Sequence, residues 1–257
     1  MNQLRRRIQT AAMSGGEAAP PLPPFNPLDI ADLKLWLDAS QIVGLNAGDS
    51  VTTWSDLSGN GYNFTQSTGS KKPTYQINIQ NGRAGVLADG VDDLMTGTLF
   101  SNVYGAGEFT ELVVIKPTAL TSTSATPYLQ QQVFTSTAGA YLGIGLKNDG
   151  TISGYSYDGT YDNVSVTGAV VGTACLLEFY KSSGTLYLTR DNTVSASVAT
   201  GNNTATVSEM VRILGGYNGT LGFFTGYLLD KLVYKRALST IERDTVRDYL
   251  RSKWATP

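Results

Sequence analysis

From about residue 33 onward, the apolar residues of this chain come in short β-branched and aromatic runs, each closed by a cluster of turn-forming residues. That spacing is the pattern of an all-β sandwich or barrel. Leu33-Lys34-Leu35-Trp36-Leu37 ends at Asp38-Ala39-Ser40. Later runs are Leu112-Val113-Val114-Ile115, Tyr141-Leu142-Gly143-Ile144-Gly145-Leu146, Thr151-Ile152-Ser153-Gly154-Tyr155, Leu176-Leu177-Glu178-Phe179-Tyr180, Gly184-Thr185-Leu186-Tyr187-Leu188-Thr189, Val211-Arg212-Ile213-Leu214 and Gly226 to Tyr234. Lys147-Asn148-Asp149-Gly150 predicts a tight hairpin, with Gly150 at positive φ. No sequence repeat of 20 to 50 residues is visible, so propellers and solenoids lose support.

One segment departs from this pattern. Ser239-Thr240-Ile241-Glu242 is a capping box, and Ile241, Val246, Tyr249, Leu250 and Trp254 follow at roughly helical spacing. The spacing predicts a helix over about 239–254 that packs this stripe on the sandwich and leaves Arg243, Asp244, Arg247, Asp248 and Arg251 on the remaining face.

At the other end, five prolines within residues 14–28 rule out a helix or a central strand. Residues 1–28 are predicted to form an extended, Pro-rich arm ahead of one domain at 29–257. Leu22, Phe25 and Leu28 would serve as its apolar anchors, and Arg5, Arg6 and Arg7 would meet acidic surface. A disordered leader reads from the same composition. Residues 31–229 carry net charge −6 between basic ends, which favours contacts between the ends of one copy and the body of another, and so a homo-oligomer.

Composition excludes several function classes. The 257 residues contain no histidine, which removes Ser-His-Asp and Cys-His catalysis and the commonest zinc sites. The lone Cys175 lies in an apolar run and reads as a buried thiol. A net charge of −2 gives no field for general nucleic-acid binding, and no apolar run is long enough to span a membrane. Arg5-Arg6-Arg7 is not followed by the apolar core of a signal peptide, so synthesis in a host cytoplasm is expected. The sequons at Asn63, Asn163, Asn202 and Asn218 then follow from an Asn- and Thr-rich composition.

Three motifs occur together: Trp54-Ser55-Asp56-Leu57-Ser58-Gly59-Asn60-Gly61, then Asp89-Gly90-Val91-Asp92-Asp93, then a final strand running into Tyr234-Lys235-Arg236-Ala237-Leu238-Ser239-Thr240-Ile241-Glu242. In this order they resemble the concanavalin A-like, laminin-G-like jelly-roll domains, over about residues 30–257. The resemblance implies a two-sheet antiparallel jelly-roll sandwich with the C-terminal helix packed on it. It does not imply a function, because this scaffold hosts lectins, glycanases, adhesion modules and virion parts. Independently of it, Asp56 and Ser58 suit Asx and Ser turns, and Trp54 suits an apolar plug beneath the loop. Asp89, Asp92 and Asp93 suit a turn cap, and clustered oxygen ligands are also what calcium requires.

Glycanases of this fold place two or three carboxylates on alternate positions of one strand, and retaining chemistry needs a pair about 5 Å apart. Glu111, Glu178 and Asp230 have no such partners in sequence, so the chain is expected not to be an enzyme, and no cofactor is implied. Tyr155, Tyr157, Tyr161, Asp162 and Asn163 have the composition of a glycan-binding surface, and equally that of ordinary strand residues. Leaderless jelly-roll domains with a short arm are similar to accessory proteins of tailed bacteriophages. The expectation is therefore a non-enzymatic virion component, a head decoration or tail-associated protein held to capsid or tail subunits by its arm. A glycan-binding, lectin-like adhesion module is the alternative.

Overall fold

The computed structural model describes residues 25–97, 107–120, 128–134, 141–157, 161–191, 194–199, 209–215 and 222–257. Arg5, Arg6, Arg7, Leu22, Asn202 and Asn218 lie outside them. In chain order the described strands are β1 Leu33–Asp38, β2 Thr53–Trp54, β3 Phe64–Thr65, β4 Thr74–Gln80, β5 Arg83–Asp89, β6 Met95–Gly97, β7 Phe109–Pro117 and β8 Tyr128–Phe134. They continue as β9 Tyr141–Leu146, β10 Ile152–Tyr157, β11 Tyr161–Val166, β12 Cys175–Ser182, β13 Thr185–Arg190, β14 Val194–Ala199, β15 Glu209–Ile213 and β16 Thr225–Tyr234, before helix α1 Thr240–Trp254.

Two antiparallel sheets form a sandwich. The first runs β14-β13-β12-β7-β16-β5-β4 with β1 added to β16, and the second runs β11-β10-β9-β8-β15-β6-β3-β2. Alternation explains the layering, since successive side chains on a strand face opposite ways. On β12, Cys175, Leu177 and Phe179 enter the core between the sheets, whereas Leu176 faces outward into a second core beneath α1. β16 has an irregularity between Leu228 and Asp230 in its pairing with β7. Leu228 and Val233 join the inter-sheet core, and Leu229, Leu232 and Tyr234 the core under the helix. The irregularity thus turns Leu229 and the following Asp230 both toward α1.

Local features follow the sequence closely. Lys147 N–H donates to Thr151 and Gly150 N–H to Lys147, with Gly150 at φ 79°. Asp56 accepts from the backbone N–H groups of Trp36, Ser58 and Tyr62, and Trp54 is buried beneath that loop. Cys175 is buried, and burial pushes its thiol up to about 12.

Helix α1 forms with its capping box: Glu242 N–H donates to Ser239 Oγ, and Ser239 N–H donates to the Glu242 carboxylate. Its packing face differs from the expected stripe. Ile241 is exposed, whereas Arg247 and Lys253 are buried beside Val246, Leu250 and Trp254. The reason is electrostatic: the sheet beneath presents buried carboxylates, and the helix turns its cations onto them.

The N-terminal boundary also shifts. Asn26 caps a short 3-10 helix at Pro27–Asp29, Pro27 is buried, and its carbonyl accepts from the Tyr234 hydroxyl at 3.2 Å. Phe25, expected among the arm's anchors for a partner, packs edge-on against Tyr249 of its own chain at 5.6 Å. Leu28 remains half exposed.

Candidate functional site

The carboxylates weighed for catalysis are built into the fold. Glu111 on β7 lies between the sheets, fully buried, in an ion pair with Lys231 of β16. Glu178 on β12 faces α1, where Arg243 and Arg247 meet its two oxygens at 2.7 and 2.8 Å. Burial raises the Glu178 pKa, and the two guanidinium groups oppose that rise. Asp230 and Asp38 share the ammonium of Lys253. Burial pushes Asp230 up to about 6, against the pull of Lys253. Burial acts to lower Lys253, but Asp230 and Asp38 more than offset it, so its proton is held more tightly than usual. Each carboxylate is occupied by a cation fixed in the packed interior.

Asp89, Asp92 and Asp93 come together, with a ligand oxygen from each within 4.8 Å of the others. Oxygens of Asp89 and Asp93 serve the turn. Asp89 Oδ1 accepts from Val91 N–H at 2.8 Å and Asp92 N–H at 3.3 Å, and Asp93 Oδ2 accepts from Asp89 N–H at 3.0 Å. Burial pushes Asp93 up to about 6, against the Asp89 N–H that it accepts. Three side chains on one short turn supply at most part of the six to eight oxygens that a calcium ion takes.

The sequence-predicted glycan residues fall on the edge strand β11 and its neighbour β10: Tyr155 stands opposite Asn163, Ser156 opposite Asp162, and Tyr157 opposite Tyr161. Tyr155 and Asp162 are withdrawn from the accessible outer surface. Tyr155 is 1% exposed, parallel to Tyr161 with ring centroids 6.2 Å apart. Asp162 alternates with Val164 and Val166 and so lies on the core-facing side, half buried. Tyr161 and Asn163 are exposed on the outer face, and Asn163 Oδ1 accepts from Ser165 Oγ.

A better-formed recess lies where β1, the Asp56 loop and α1 meet. It encloses about 900 Å³, within the range of small-molecule sites. Phe25, Trp36 and Tyr249 supply its aromatic walls; Gln41, Arg83, Asp248 and Ser252 supply an exposed polar rim. Its floor is the Asp38–Lys253 pair, and the Trp36 indole is fixed by donating to Asp230 Oδ1 at 3.2 Å. The sequence reading missed this site because its aromatics come from positions 25, 36 and 249. A half-buried Trp36 on an alternating strand beside the Asp56 loop was the one local signal.

No protein-family model and no curated protein sequence matches the chain. Solved structures do. Trypanosoma rangeli sialidase, in complex with a difluoro-KDN compound, superposes with a TM-score of 0.60 at 13% identity over 98% of this chain and 38% of its own. The botulinum neurotoxin serotype D binding domain gives 0.60 at 14% identity, over 86% of this chain and 55% of its own. Domain 4 of an extracellular arabinanase from Geobacillus stearothermophilus, in complex with arabinotriose, gives 0.55 at 12% identity, over 79% of this chain and 98% of its own. This chain therefore spans about two fifths of the sialidase's length and about half of the toxin chain's. At these identities the likeness establishes the fold alone, a two-sheet β-sandwich of the jelly-roll type.

Proposed function

We propose that this chain is a non-catalytic carbohydrate-binding module, and that the recess walled by Phe25, Trp36 and Tyr249 is its binding site. The observation that carries the reading is the pairing of aromatic faces with a rim of Gln41, Arg83, Asp248 and Ser252 around one concavity. Sugar rings present C–H faces that stack on aromatics and equatorial hydroxyls that need both donors and acceptors, and this rim offers both. The engagement of Glu111, Glu178 and Asp230 by buried cations supports a binding role over hydrolysis. The arabinotriose complex of the similar arabinanase domain makes arabino-oligosaccharides a reasonable first probe.

Of the three tryptophans, Trp54 and Trp254 are buried and Trp36 lines the recess. Titration with a panel of neutral oligosaccharides that includes arabinotriose should change Trp36 emission. Trp36→Phe should abolish the signal, and Tyr249→Ala should weaken binding measured calorimetrically by tenfold or more. Absence of binding at millimolar saccharide, or affinity untouched by both substitutions, would overturn the reading.

A second reading is favoured by the anchoring of Phe25 to Asp29 on the domain, which tethers residues 1–24 at a fixed point beside the recess. In it, that segment attaches the domain to a virus particle or to further copies of itself. Deleting residues 2–24 should then abolish assembly measured by mass in solution; unchanged mass and particle binding would exclude it.

A further inference from the structure

Asp38, Asp230 and Lys253 are all buried, and they come from three distant parts of the chain: the end of β1, the middle of β16 and the last turn of α1. Lys253 Nζ donates to Oδ2 of Asp38 at 2.5 Å and also to Oδ2 of Asp230. The cluster thus holds two carboxylates for one ammonium. Glu178 also meets buried cations, but both are guanidinium groups, which keep their protons and cannot act as nucleophiles. A lysine amine can.

The surroundings fix each of the reacting atoms. Oδ1 of Asp230 accepts from Trp36 Nε1 at 3.2 Å, and its Oδ2 accepts from Trp254 Nε1 at 3.0 Å. Oδ1 of Asp38 accepts from the Ser40 N–H at 2.9 Å and from the Ser40 hydroxyl at 2.7 Å. Those two donors already point at the oxygen on which negative charge gathers when Cγ of Asp38 is attacked. Cγ itself lies one bond beyond Oδ2, within reach of a near-attack contact of about 3 to 3.5 Å with Nζ. The rings of Trp254 and Tyr249 flank Nζ at 5.0 and 5.5 Å.

We propose that Lys253 and Asp38 join in an intramolecular isopeptide bond, with Asp230 carrying the proton. Lys253 first passes one proton to Asp230, which exchanges an ion pair for two neutral groups, a change that burial favours. Burial raises the proton affinity of Asp230, while the two carboxylates tighten the hold of Lys253 on its own proton, so the free amine is scarce. Scarcity slows a reaction that each molecule performs only once; it does not prevent it. The lone pair of Nζ attacks Cγ of Asp38 as Asp230 hands its proton to Oδ2, so that a single negative charge collects on Oδ1 under the Ser40 donors. The nitrogen then gives up a second proton, relayed through Asp230 to Oδ2. The Cγ–Oδ2 bond breaks, Oδ1 becomes the amide oxygen, and Oδ2 leaves as water with two protons from the former ammonium. Asp230 ends as it began, and no further reactant enters. Because the recess opens onto Asp38 and Lys253, the water has a way out.

Fixed geometry supplies the driving force, since effective molarities of about 10⁵ to 10⁸ M offset a condensation that is unfavourable between free groups in water. The bond spans 215 residues, from β1 to the last turn of α1, and keeps the two ends of the domain tied even when the chain unfolds. This proposal is independent of what the recess binds.

The test is the intact mass of the full chain, purified folded and then denatured. It should be lighter than its sequence by one water, and trypsin should release a branched peptide joining the segment that contains Asp38 to the segment that contains Lys253. Lys253→Arg should restore the full mass. Asp38→Asn should still cross-link but lose ammonia in place of water, which marks the side chain at 38 as the acyl partner. Asp230→Asn keeps the shape of the cluster, removes the proton carrier and should cut the cross-linked fraction at least tenfold. Full mass in the unsubstituted protein overturns the proposal whether or not any variant folds. A water loss that persists in Lys253→Arg, or that is confined to an unbranched peptide, reports chemistry elsewhere in the chain and overturns it as well. Cross-linking undiminished in Asp230→Asn overturns the proton path.

Discussion

Arg247 of α1 donates from Nη1 to Oε2 of Glu178 on β12 at 2.8 Å, across 69 residues of sequence and within the buried contact between helix and sheet. Arg243 meets the other oxygen, so one carboxylate fastens two turns of the helix. Charges taken out of water are tolerable while paired and costly when one partner is removed. Glu178→Ala strands two guanidinium groups and should lower stability by about 3 to 5 kcal/mol. Arg243→Ala leaves Arg247 in place and should cost less than half of that. Chemical unfolding of both variants checks the order, and equal losses would mean that Arg243 and Arg247 do not share the load through Glu178.

That pair also marks where sequence reading stopped. Features fixed by neighbours in the chain were legible: the Gly150 hairpin, the Asp56 turn, the Ser239–Glu242 cap and the alternation along β12. Features that depend on distant partners were not. Arg247 and Lys253 look like solvated helix residues until Glu178, Asp38 and Asp230 are placed beneath them. Ile241 looks like core by period alone, but burying the cations turns it outward. Tyr155, Tyr161 and Asn163 share an outer face as their spacing suggests, yet only the register shows Tyr155 covered. The recess was illegible for the same reason, since Phe25 and Tyr249 meet only after the chain has folded.

Glu242 gives the helix cap an acid-sensitive contribution. A two-pronged hydrogen bond from Arg236 pulls its pKa from the ordinary 4.5 to about 2, against some burial and with help from Ser239. A carboxylate depressed in the folded state stabilises the fold above its unfolded pKa and loses that contribution as pH falls. Glu242→Gln keeps a side chain able to cap and removes the charge. It should cost about 1 kcal/mol at pH 7, given the solvent screening at this partly exposed site. The difference from the parent protein should shrink as pH falls from 4.5 toward 2; a difference constant across that window would assign the effect to capping alone.

Asp93 works in the opposite sense. Burial, aided by the charges of Asp89 and Asp92, raises its pKa from 3.8 to about 6 despite the Asp89 N–H. A carboxyl raised in the folded state favours folding while protonated, and that advantage is lost as pH rises through its folded value. Asp93→Asn should therefore match the parent near pH 4 and exceed it by about 1 kcal/mol at pH 8, after allowance for partial solvent screening. Thermal unfolding at both pH values, with calcium and with chelator, checks this. A calcium-dependent rise in the parent's midpoint that Asp93→Asn abolishes would instead make the cluster a metal site.

The remaining prediction concerns where the domain starts. The sequence placed the boundary at 28, after the last of the five prolines in residues 14–28, because composition cannot show which prolines are docked. In the folded chain Pro27 is buried, and its carbonyl accepts from Tyr234, whose hydroxyl has no exposure at 0%. Burial drives the Tyr234 pKa far above its usual value, so the phenol stays neutral and keeps its proton for that bond. Removing residues 2–24 should leave the unfolding midpoint unchanged. Removing 2–28 deletes the Phe25 contact with Tyr249 and leaves the Tyr234 hydroxyl without its acceptor, and should cost about 2 to 4 kcal/mol from lost apolar burial and one buried polar group. Phe25→Ala alone should account for about half of that loss, since its ring is partly exposed. Equal midpoints for the two truncations would return the boundary to residue 28 and free Phe25 to serve a partner.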